Sequence, residues 1–160
     1  MNTLNKISIL GSGQAAIYDA SEIRKHDKDS EISIFGNESY HPYERPPLSK
    51  EFLMGKKKEE EFLFFSKNFF ADQNINFINK EINSVNFKNR YLISFDNEKY
   101  FYDKLLITTG STNRKIEIDK EIDNEIYYLR NLDDANKIKK KALEVNNIAI
   151  IGGGFIGLEI

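Results

Sequence analysis

Two glycine-rich segments are the residues of this sequence best suited to binding chemistry. Residues 11–16 read GSGQAA and residues 152–157 read GGGFIG, and each follows a short apolar run, at 7–10 and 148–151. A strand, a turn of this kind and a helix, in that order, bind the pyrophosphate of a dinucleotide. Small residues permit a tight turn and close approach of the backbone, and unpaired N–H groups at the helix N-terminus attract the anion. A single such turn is often an ordinary one, so the prediction depends on its repetition in the same context.

The cysteine and histidine content limits the metal and thiol chemistry available to this sequence. The 160 residues include no cysteine, which excludes disulfides, thiolate metal sites and a redox dithiol within this sequence. Only two histidines occur, and they are isolated. His26 falls late in the first predicted helix among charged residues, where a solvated role is expected, and His41 has no nearby partner. No metal site is therefore predicted.

The charge and hydropathy patterns are those of an ordinary globular protein. Hydrophobic residues make up 40% of the chain and the formal net charge is -2, so no basic surface for nucleic acid is predicted. The apolar stretches have the length of strands, well short of the roughly 20 residues that cross a bilayer. No signal segment opens the chain. We expect a cytoplasmic protein without a membrane partner.

The first motif lies within a predicted β-α-β unit. A strand at 7–10 precedes the turn, and Ala16, Ala20 and Ile23 mark one face of the helix that follows. A second short strand is predicted at 32–35. The unit spans about 30 residues, which is the usual size.

A proline-rich segment at 41–50 follows and contains all three prolines of the chain. Proline is excluded from ladders and helix interiors, so an extended loop is predicted. The lysines at 56–58 and glutamates at 59–61 cancel in charge and indicate a solvated turn, to which we assign no function. A cluster of phenylalanines is expected to pack beneath the loop as core: Phe62, Phe64, Phe65, Phe69 and Phe70.

The remaining pattern predicts short strands and one helix. The strands are at 75–78, 82–87, 91–95 and 99–101, the last few as an antiparallel meander, with a buried strand at 105–108 and another at 126–129. Residues 111–125 are polar and irregular. A helix is predicted over 132–143, with Asn131 as its N-cap, acidic residues in its first turn and lysines toward its end.

Taken together, the motifs resemble one family closely. They are GSGQAA at 11–16, YxRPPLSK at 43–50, TTG at 108–110, LRxxD at 129–133 and GGGxIGLE at 152–159. The pattern is similar to the ferredoxin reductases of the FAD-dependent pyridine-nucleotide oxidoreductases, especially the NADH-dependent reductases of ring-hydroxylating dioxygenases and some cytochrome P450 systems. Rubredoxin reductases and apoptosis-inducing factor are relatives. The resemblance covers essentially the whole chain, and segment 43–50 is its specific element.

This resemblance implies an α/β fold. Residues 1–145 would form a Rossmann-like FAD-binding domain, a parallel sheet with helices plus a small antiparallel meander. Residues 146–160 would begin a second, truncated Rossmann-like domain that binds NAD(P). Since the chain stops at Ile160, just inside the helix after the second motif, we expect it to be inactive alone.

The resemblance also assigns cofactor contacts. Backbone of the first motif is expected near the FAD pyrophosphate, at Gly11, Gly13, Gln14, Ala15 and Ala16. Glu38 is expected to accept hydrogen bonds from the adenosine ribose hydroxyls. Asn37 contributes more weakly and departs from the two adjacent acidic residues usual in the family. The second turn is expected to bind NADH or NADPH, at Gly152, Gly154, Phe155, Ile156 and Gly157.

Cationic residues complete the implied FAD site. Arg45, Lys50 and Arg130 match the family's cationic contacts, and a guanidinium suits phosphate because it is planar and permanently charged. The other implied contacts are at Ile82, Thr109 and Gly110. Two of these assignments have simpler alternatives, since Arg45 could cap the proline loop and Glu38 could be an exposed turn carboxylate.

Lys50 and Glu159 are the implied catalytic residues. In the family, the matching lysine and glutamate form an ion pair near the flavin's hydride-accepting nitrogen, where charge tunes the cofactor and orients the nicotinamide. The alternative for Glu159 is an ordinary helix residue.

The implied activity is transfer of a hydride from NAD(P)H to FAD, then of single electrons to a ferredoxin-like iron–sulfur protein or rubredoxin. The choice between NADH and NADPH, the acceptor and the oligomeric state stay open. Three alternatives also stay open: a short FAD-binding protein without catalysis, an interaction protein similar to apoptosis-inducing factor, and a nonfunctional fragment with exposed strand edges.

Overall fold

The computed structural model describes residues 5–117 and 125–160. These residues form two compact units. The first unit runs through Tyr43 and resumes over Leu63–Gly110, and the second comprises Glu44–Phe62 and Ser111–Ile160. The predicted irregular segment 111–125 lies partly outside the described residues, because 118–124 are not among them.

A parallel sheet and a smaller antiparallel sheet make up the first unit. Its elements are β1 Lys6–Leu10, α1 Gln14–His26, β2 Glu31–Gly36, α2 Phe69–Asp72, β3 Ile75–Asn79, β4 Ile82–Asn86, β5 Tyr91–Ser94, β6 Lys99–Phe101 and β7 Lys104–Ile107. The parallel sheet has the strand order β3-β2-β1-β7, and β4-β5-β6 form the antiparallel sheet. The predicted α/β fold with an antiparallel meander is confirmed.

The β1-α1-β2 unit forms as predicted. Strand β1 lies between β2 and β7, and its isoleucines Ile7 and Ile9 are buried, as expected of an inner strand of a parallel sheet. The helix face marked by Ala16 and Ala20 is fully buried against the sheet, and Ile23 packs at its margin. Small alanines allow the helix to lie close to the strands.

The carboxyl end of β2 reaches a second apolar cluster. Phe35 packs there with Leu92 and Tyr102, and the ring of Phe35 meets the ring of Tyr100 edge-on at 4.9 Å. This cluster links the parallel sheet to the antiparallel one. It therefore sets the position of the segment that leaves β2.

The last strand of the sheet differs from its prediction. Residues 105–108 were expected to be a buried strand, whereas β7 is an edge strand that pairs with β1 alone among the described residues. Ile107 is 54% exposed. An apolar run has the same appearance in the sequence whether its strand lies inside a sheet or at its edge.

The placement of the phenylalanine cluster differs in part from the prediction. Phe64 and Phe65 contact Tyr18 of α1, and with Phe69 and Phe70 they belong to the core beside the parallel sheet. Of the five, Phe62 packs against the segment after the prolines, where its ring meets that of Phe52 at 5.5 Å. The cluster is core, as predicted. Phe62 and Phe70 contact the loop segment, since the ring of Phe70 stacks on that of His41 at 5.8 Å, whereas the others pack on the sheet and α1.

The second unit contains short helices. They are 3₁₀ helices at Pro46–Ser49 and Glu59–Phe62, α3 Leu132–Ala142 and α4 Phe155–Glu159. Asn131 caps α3 as predicted, because its side chain accepts from the Asp134 amide at 2.8 Å and Asp134 reciprocates in a capping box. No described helix in either unit is both long and apolar enough to span a bilayer.

Three local predictions for the second unit are wrong. Residues 126–129 and 148–151 do not form strands, since neither segment has a ladder partner among the described residues. A strand requires a neighbour, and an apolar run does not supply one. The proline segment is not extended throughout, because Pro46 and Pro47 occupy the first positions of a 3₁₀ helix, where proline's missing N–H costs nothing.

A buried arginine ties the end of α1 to the start of β3. Arg24 is 4% exposed, and its guanidinium donates to backbone carbonyls at 2.8 to 2.9 Å. The acceptors are Gln73, Asp27, Ser30 and Asn74. One side chain thereby satisfies carbonyls of two separate turns, and its bond to the Ser30 carbonyl is buried.

Replacing this arginine should destabilise the fold. We expect Arg24→Leu to lower the free energy of unfolding by about 2 to 4 kcal/mol, because it removes four hydrogen bonds from a charged donor, and each such bond is worth about 1 kcal/mol or more. Urea unfolding measures this. The exposed neighbour Lys25 provides the control, since Lys25→Leu should change stability by less than about 1 kcal/mol. Equal effects for the two variants would refute the role of Arg24.

Candidate functional site

The first glycine turn brings three backbone segments together. Gly11 has a φ of +112°, a backbone conformation that residues other than glycine rarely adopt. Its amide donates to the Phe35 carbonyl at 2.8 Å, and a Cβ built on it would lie 2.2 Å from the Thr108 carbonyl oxygen. Only glycine fits at this position, where β1, β2 and β7 end.

The turn is closed on its inner side and open on its outer side. A Cβ on Gly36 would lie 2.2 Å from Ser12 Oγ, so the end of β2 packs directly on the turn. A Cβ on Gly13 would have no heavy atom within 4 Å. Gln14 and Ala15 are exposed, and Ala16 is buried in the helix contact. The backbone at 13–15 is thus accessible from outside.

The N-terminus of α1 is suited to an anion. Gly13 is its N-cap, no side chain caps it, and no acidic residue occupies its first turn. The N–H groups of that turn are therefore left for a ligand, and the helix dipole favours negative charge there. These features fit the pyrophosphate of FAD.

Glu38 follows the end of β2, next to this turn. Its Oε2 accepts from the Tyr43 hydroxyl at 2.5 Å, and Glu38 is half-buried while Asn37 is exposed. Tyr43 is 5% exposed. Glu38 is therefore not simply a solvated turn carboxylate.

The other implied contacts of the first unit lie at strand ends. Ile82 begins β4 and packs half-buried against the cluster that contains Phe35. Thr109 and Gly110 follow β7, are exposed, and Gly110 has φ of +67°. Thr108 holds this end to β1, since its amide and hydroxyl donate to the Leu10 carbonyl at 2.8 and 3.2 Å.

In the second unit, the structure brings two predicted arginines together. Arg45 Nη1 donates to the Arg130 carbonyl at 2.9 Å, and Arg130 Nε donates to the Ser111 carbonyl at 3.0 Å. Arg45 therefore binds the segment before α3. Arg130 also lines an open cleft of about 450 Å³, together with Lys115 and Lys137.

Lys50 and Glu159 also lie together. Lys50 Nζ is 3.4 Å from Glu159 Oε1, and the Ser49 hydroxyl donates to Glu159 Oε2 at 2.7 Å. The hydrogen bond from Ser49, followed by the neighbouring Lys50 ammonium, lowers the pKa of the Glu159 carboxyl below its ordinary value of 4.5. Glu159 is 31% exposed and Lys50 46% exposed on their side chains, so the pair is accessible to a ligand.

The second glycine turn matches the first at its first and third glycines. Gly152 has φ of +109°, and a Cβ on Gly157 would lie 2.1 Å from the Gly152 carbonyl oxygen. Gly154 is the N-cap of α4. Phe155 is 90% exposed and Ile156 is also exposed, so the side chains of the turn have little packing among the described residues.

Two residues beside the predicted site were not singled out as cofactor contacts. Ser49 contacts Glu159 and Tyr43 contacts Glu38. Both lie within segment 43–50, the most specific motif of the sequence, and this was the available signal. Among the described residues, no group of three or more histidine or acidic side chains could hold a metal ion.

The fold and its glycine turns define a nucleotide-binding α/β protein of the Rossmann-like class. A family model described as pyridine nucleotide-disulphide oxidoreductase matches residues 5–160. The chain belongs to this family, and its cofactors are accordingly FAD and NAD(P)H, as predicted.

Individual relatives are more specific. The chain is 32% identical over 155 residues to a rubredoxin-NAD(+) reductase from Pseudomonas putida, across 96% of this chain and 40% of the relative. It is 35% identical to the 3-phenylpropionate/cinnamic acid dioxygenase ferredoxin–NAD(+) reductase component of Photorhabdus laumondii, across 95% and 39%.

A solved structure confirms the fold. The crystal structure of NADH:rubredoxin oxidoreductase from Clostridium acetobutylicum superposes with a TM-score of 0.86 and 33% identity, across 98% of this chain and 40% of that one. The chain thus spans about 40% of the length of the relatives it matches.

The glycines of the first turn should respond differently to alanine. Gly11→Ala should lower the free energy of unfolding by about 2 kcal/mol or more, because of its positive φ and the blocked Cβ position. Gly13→Ala should change stability by less than about 1 kcal/mol, since its Cβ enters open space, and should weaken FAD binding. Denaturant unfolding and FAD titration separate the two effects. A stable Gly11→Ala variant would contradict the geometry.

Removing the Ser49 hydroxyl should change the titration of Glu159. In Ser49→Ala we expect the Glu159 pKa to rise toward 4.5, because the main cause of its lowering is lost. Since the folded pKa is depressed, the stability contributed by Glu159 is present above the unfolded pKa and lost as pH falls through the lower folded value. Carbon-13 NMR titration of the carboxyl measures this, with Glu22, which pairs with Lys25 and His26, as an internal control. An unchanged Glu159 pKa would contradict the prediction.

Proposed function

We propose that the protein is an FAD-dependent NAD(P)H reductase that passes single electrons to a ferredoxin-type or rubredoxin-type iron protein. The observation that supports this best is the Lys50–Glu159 ion pair, to which Ser49 contributes a hydrogen bond. The resemblance places such a pair beside the flavin. The chain spans about 40% of the length of the relatives it matches, and the proposal is made for the whole protein.

Each unit has its own proposed FAD contacts. In the first unit, the backbone at 11–16 takes the pyrophosphate, Glu38 and Asn37 take the adenosine ribose, and Ile82, Thr109 and Gly110 contribute at the strand ends. In the second unit the contacts are Arg45, Lys50 and Arg130. The open face at Gly13 and the uncapped N-terminus of α1 support the first set. The accessible ammonium of Lys50 supports the second.

The nicotinamide nucleotide is proposed to bind at the second glycine turn. Its residues are Gly152, Gly154, Phe155, Ile156 and Gly157, within a second domain that begins at residue 146 after a first domain over 1–145. The positive φ of Gly152 and the N-cap at Gly154 match Gly11 and Gly13 of the first turn. The two relatives named as NAD(+) reductases favour NADH over NADPH.

When bound, FAD supplies the redox chemistry: a group that accepts a hydride from NAD(P)H and can pass on the two electrons one at a time. The proposed contribution of this chain is to place charged side chains beside the cofactors. The Glu159 carboxyl is ionised at neutral pH, and Ser49 and Lys50 lower its pKa further. Lys50 presents its ammonium beside it. We propose that this pair orients the nicotinamide and stabilises negative charge that develops next to it.

An iron protein is the proposed acceptor for two reasons. The 160 residues contain no cysteine, so this part of the protein has no dithiol to take both electrons. The relatives carry rubredoxin or ferredoxin in their names. A one-electron carrier is the acceptor class consistent with both.

The Lys50 charge should matter for flavin reduction. We expect Lys50→Met to slow reduction of bound FAD by NADH about tenfold or more, since losing about 1.4 kcal/mol of transition-state stabilisation is a factor of ten in rate. Stopped-flow absorbance at the flavin band measures this. Lys56→Met, at an exposed lysine of the same unit, should keep the wild-type rate.

The outcomes of this experiment separate the candidate functions. Wild-type rates in Lys50→Met with normal FAD binding would remove the role of the ion pair. Bound FAD that neither NADH nor NADPH reduces would favour a binding protein without catalysis. Rapid flavin reduction with electron delivery to a ferredoxin or rubredoxin would support the reductase.

A further inference from the structure

We propose that Tyr43 is a positioning residue that holds the Glu38 carboxylate for the two hydroxyls of the adenosine ribose. This inference rests on the proposed binding of FAD to the first unit. It assigns a role to the first residue of segment 43–50, which the resemblance leaves without one.

The tyrosine is anchored before it reaches Glu38. Tyr43 is 5% exposed, its backbone bridges to Leu63, and its ring meets that of Tyr40 edge-on at 6.4 Å. A buried ring with few torsions has little freedom to move its hydroxyl. That hydroxyl donates to Glu38 Oε2 at 2.5 Å, a strong charge-assisted contact.

Glu38 benefits from such an anchor because its side chain is long. A free glutamate samples many rotamers, and ordering it upon ligand binding costs side-chain entropy. The hydrogen bond from Tyr43 orders the carboxylate in advance. An ordered carboxylate can accept hydrogen bonds from both hydroxyls of a ribose. A mobile carboxylate loses part of the binding free energy of those bonds, because it must first be ordered.

The position of Glu38 supports a ribose in particular. Gly36 ends β2 and packs on Ser12 of the first turn, with no space for a Cβ between them. Glu38 lies two residues beyond this contact. In a dinucleotide, the adenosine ribose is joined directly to the pyrophosphate through its 5′ carbon. If the pyrophosphate binds at the turn, the ribose therefore lies nearby, within reach of a carboxylate that follows β2.

The experiment compares two ligands on deflavinated protein by isothermal titration calorimetry. One ligand is FAD, and the other is an FAD analogue with 2′-deoxyribose on its adenosine. The variants are Tyr43→Phe, Glu38→Ala and the double variant. Tyr91→Phe is the matched control, since it removes a hydroxyl bonded to Asn86 in the antiparallel sheet of the same unit.

We expect Tyr43→Phe to weaken FAD binding about fivefold, because ordering the Glu38 side chain, which costs about 1 kcal/mol, is then required when the ligand binds. The deoxy analogue should lose much less, so the preference for FAD over the analogue should shrink toward that of Glu38→Ala. In the Glu38→Ala background the tyrosine change should have little further effect. Tyr91→Phe should bind both ligands as the wild type does.

Three results would overturn the inference alone: normal FAD binding by Tyr43→Phe, equal losses for both ligands, or an undiminished loss when Glu38 is already absent. Equal losses would indicate that the tyrosine has only a structural role. A wild-type protein that binds no FAD would instead overturn the proposed function, and the inference with it.

Discussion

The close approach of backbone at Gly11 is the constraint on which the first unit depends. The Gly11 amide bonds to the end of β2, and the Thr108 carbonyl occupies the space a side chain would need. The carboxyl ends of β1, β2 and β7 are therefore held at one edge of the sheet. The uncapped start of α1 and the half-buried Glu38 lie at this same edge, as ligand groups do in open parallel sheets.

Polar contacts join distant segments of the second unit, whose described residues form no sheet. Ser49 and Glu159 are 110 residues apart in the sequence and meet in a hydrogen bond, and Lys50 adds the opposite charge. Arg45 holds the segment before α3 through the Arg130 carbonyl. The prolines of segment 43–50 begin a 3₁₀ helix. Four of its polar residues contact a predicted site residue or the segment beside one: Tyr43, Arg45, Ser49 and Lys50.

The predictions that succeeded concern local structure. The β1-α1-β2 unit, the meander and the Asn131 cap follow from periodicity, turn residues and capping chemistry within a few positions of one another. The predictions that failed needed a neighbour the pattern does not specify. Residues 126–129 and 148–151 lack ladder partners among the described residues, β7 lies at an edge, and Phe64 contacts α1. The hydrophobicity of a residue predicts that its side chain is buried, but it does not identify the element against which the side chain packs.

By itself the sequence determined where the chain can turn tightly and which residues are chemically suited to bind a nucleotide. A glycine at 11 or 152 and an uncapped helix start are local properties, since they depend on sterics within a few residues. The Lys50–Glu159 pair was expected from the resemblance, but only the tertiary structure decided that Tyr43 bonds to Glu38 and that Ser49 joins Lys50 at the carboxylate of Glu159. Hydrogen bonds of this kind require side chains to converge in space at distances of about 3 Å. Convergence at that scale is set by packing of the whole unit, which no local pattern encodes.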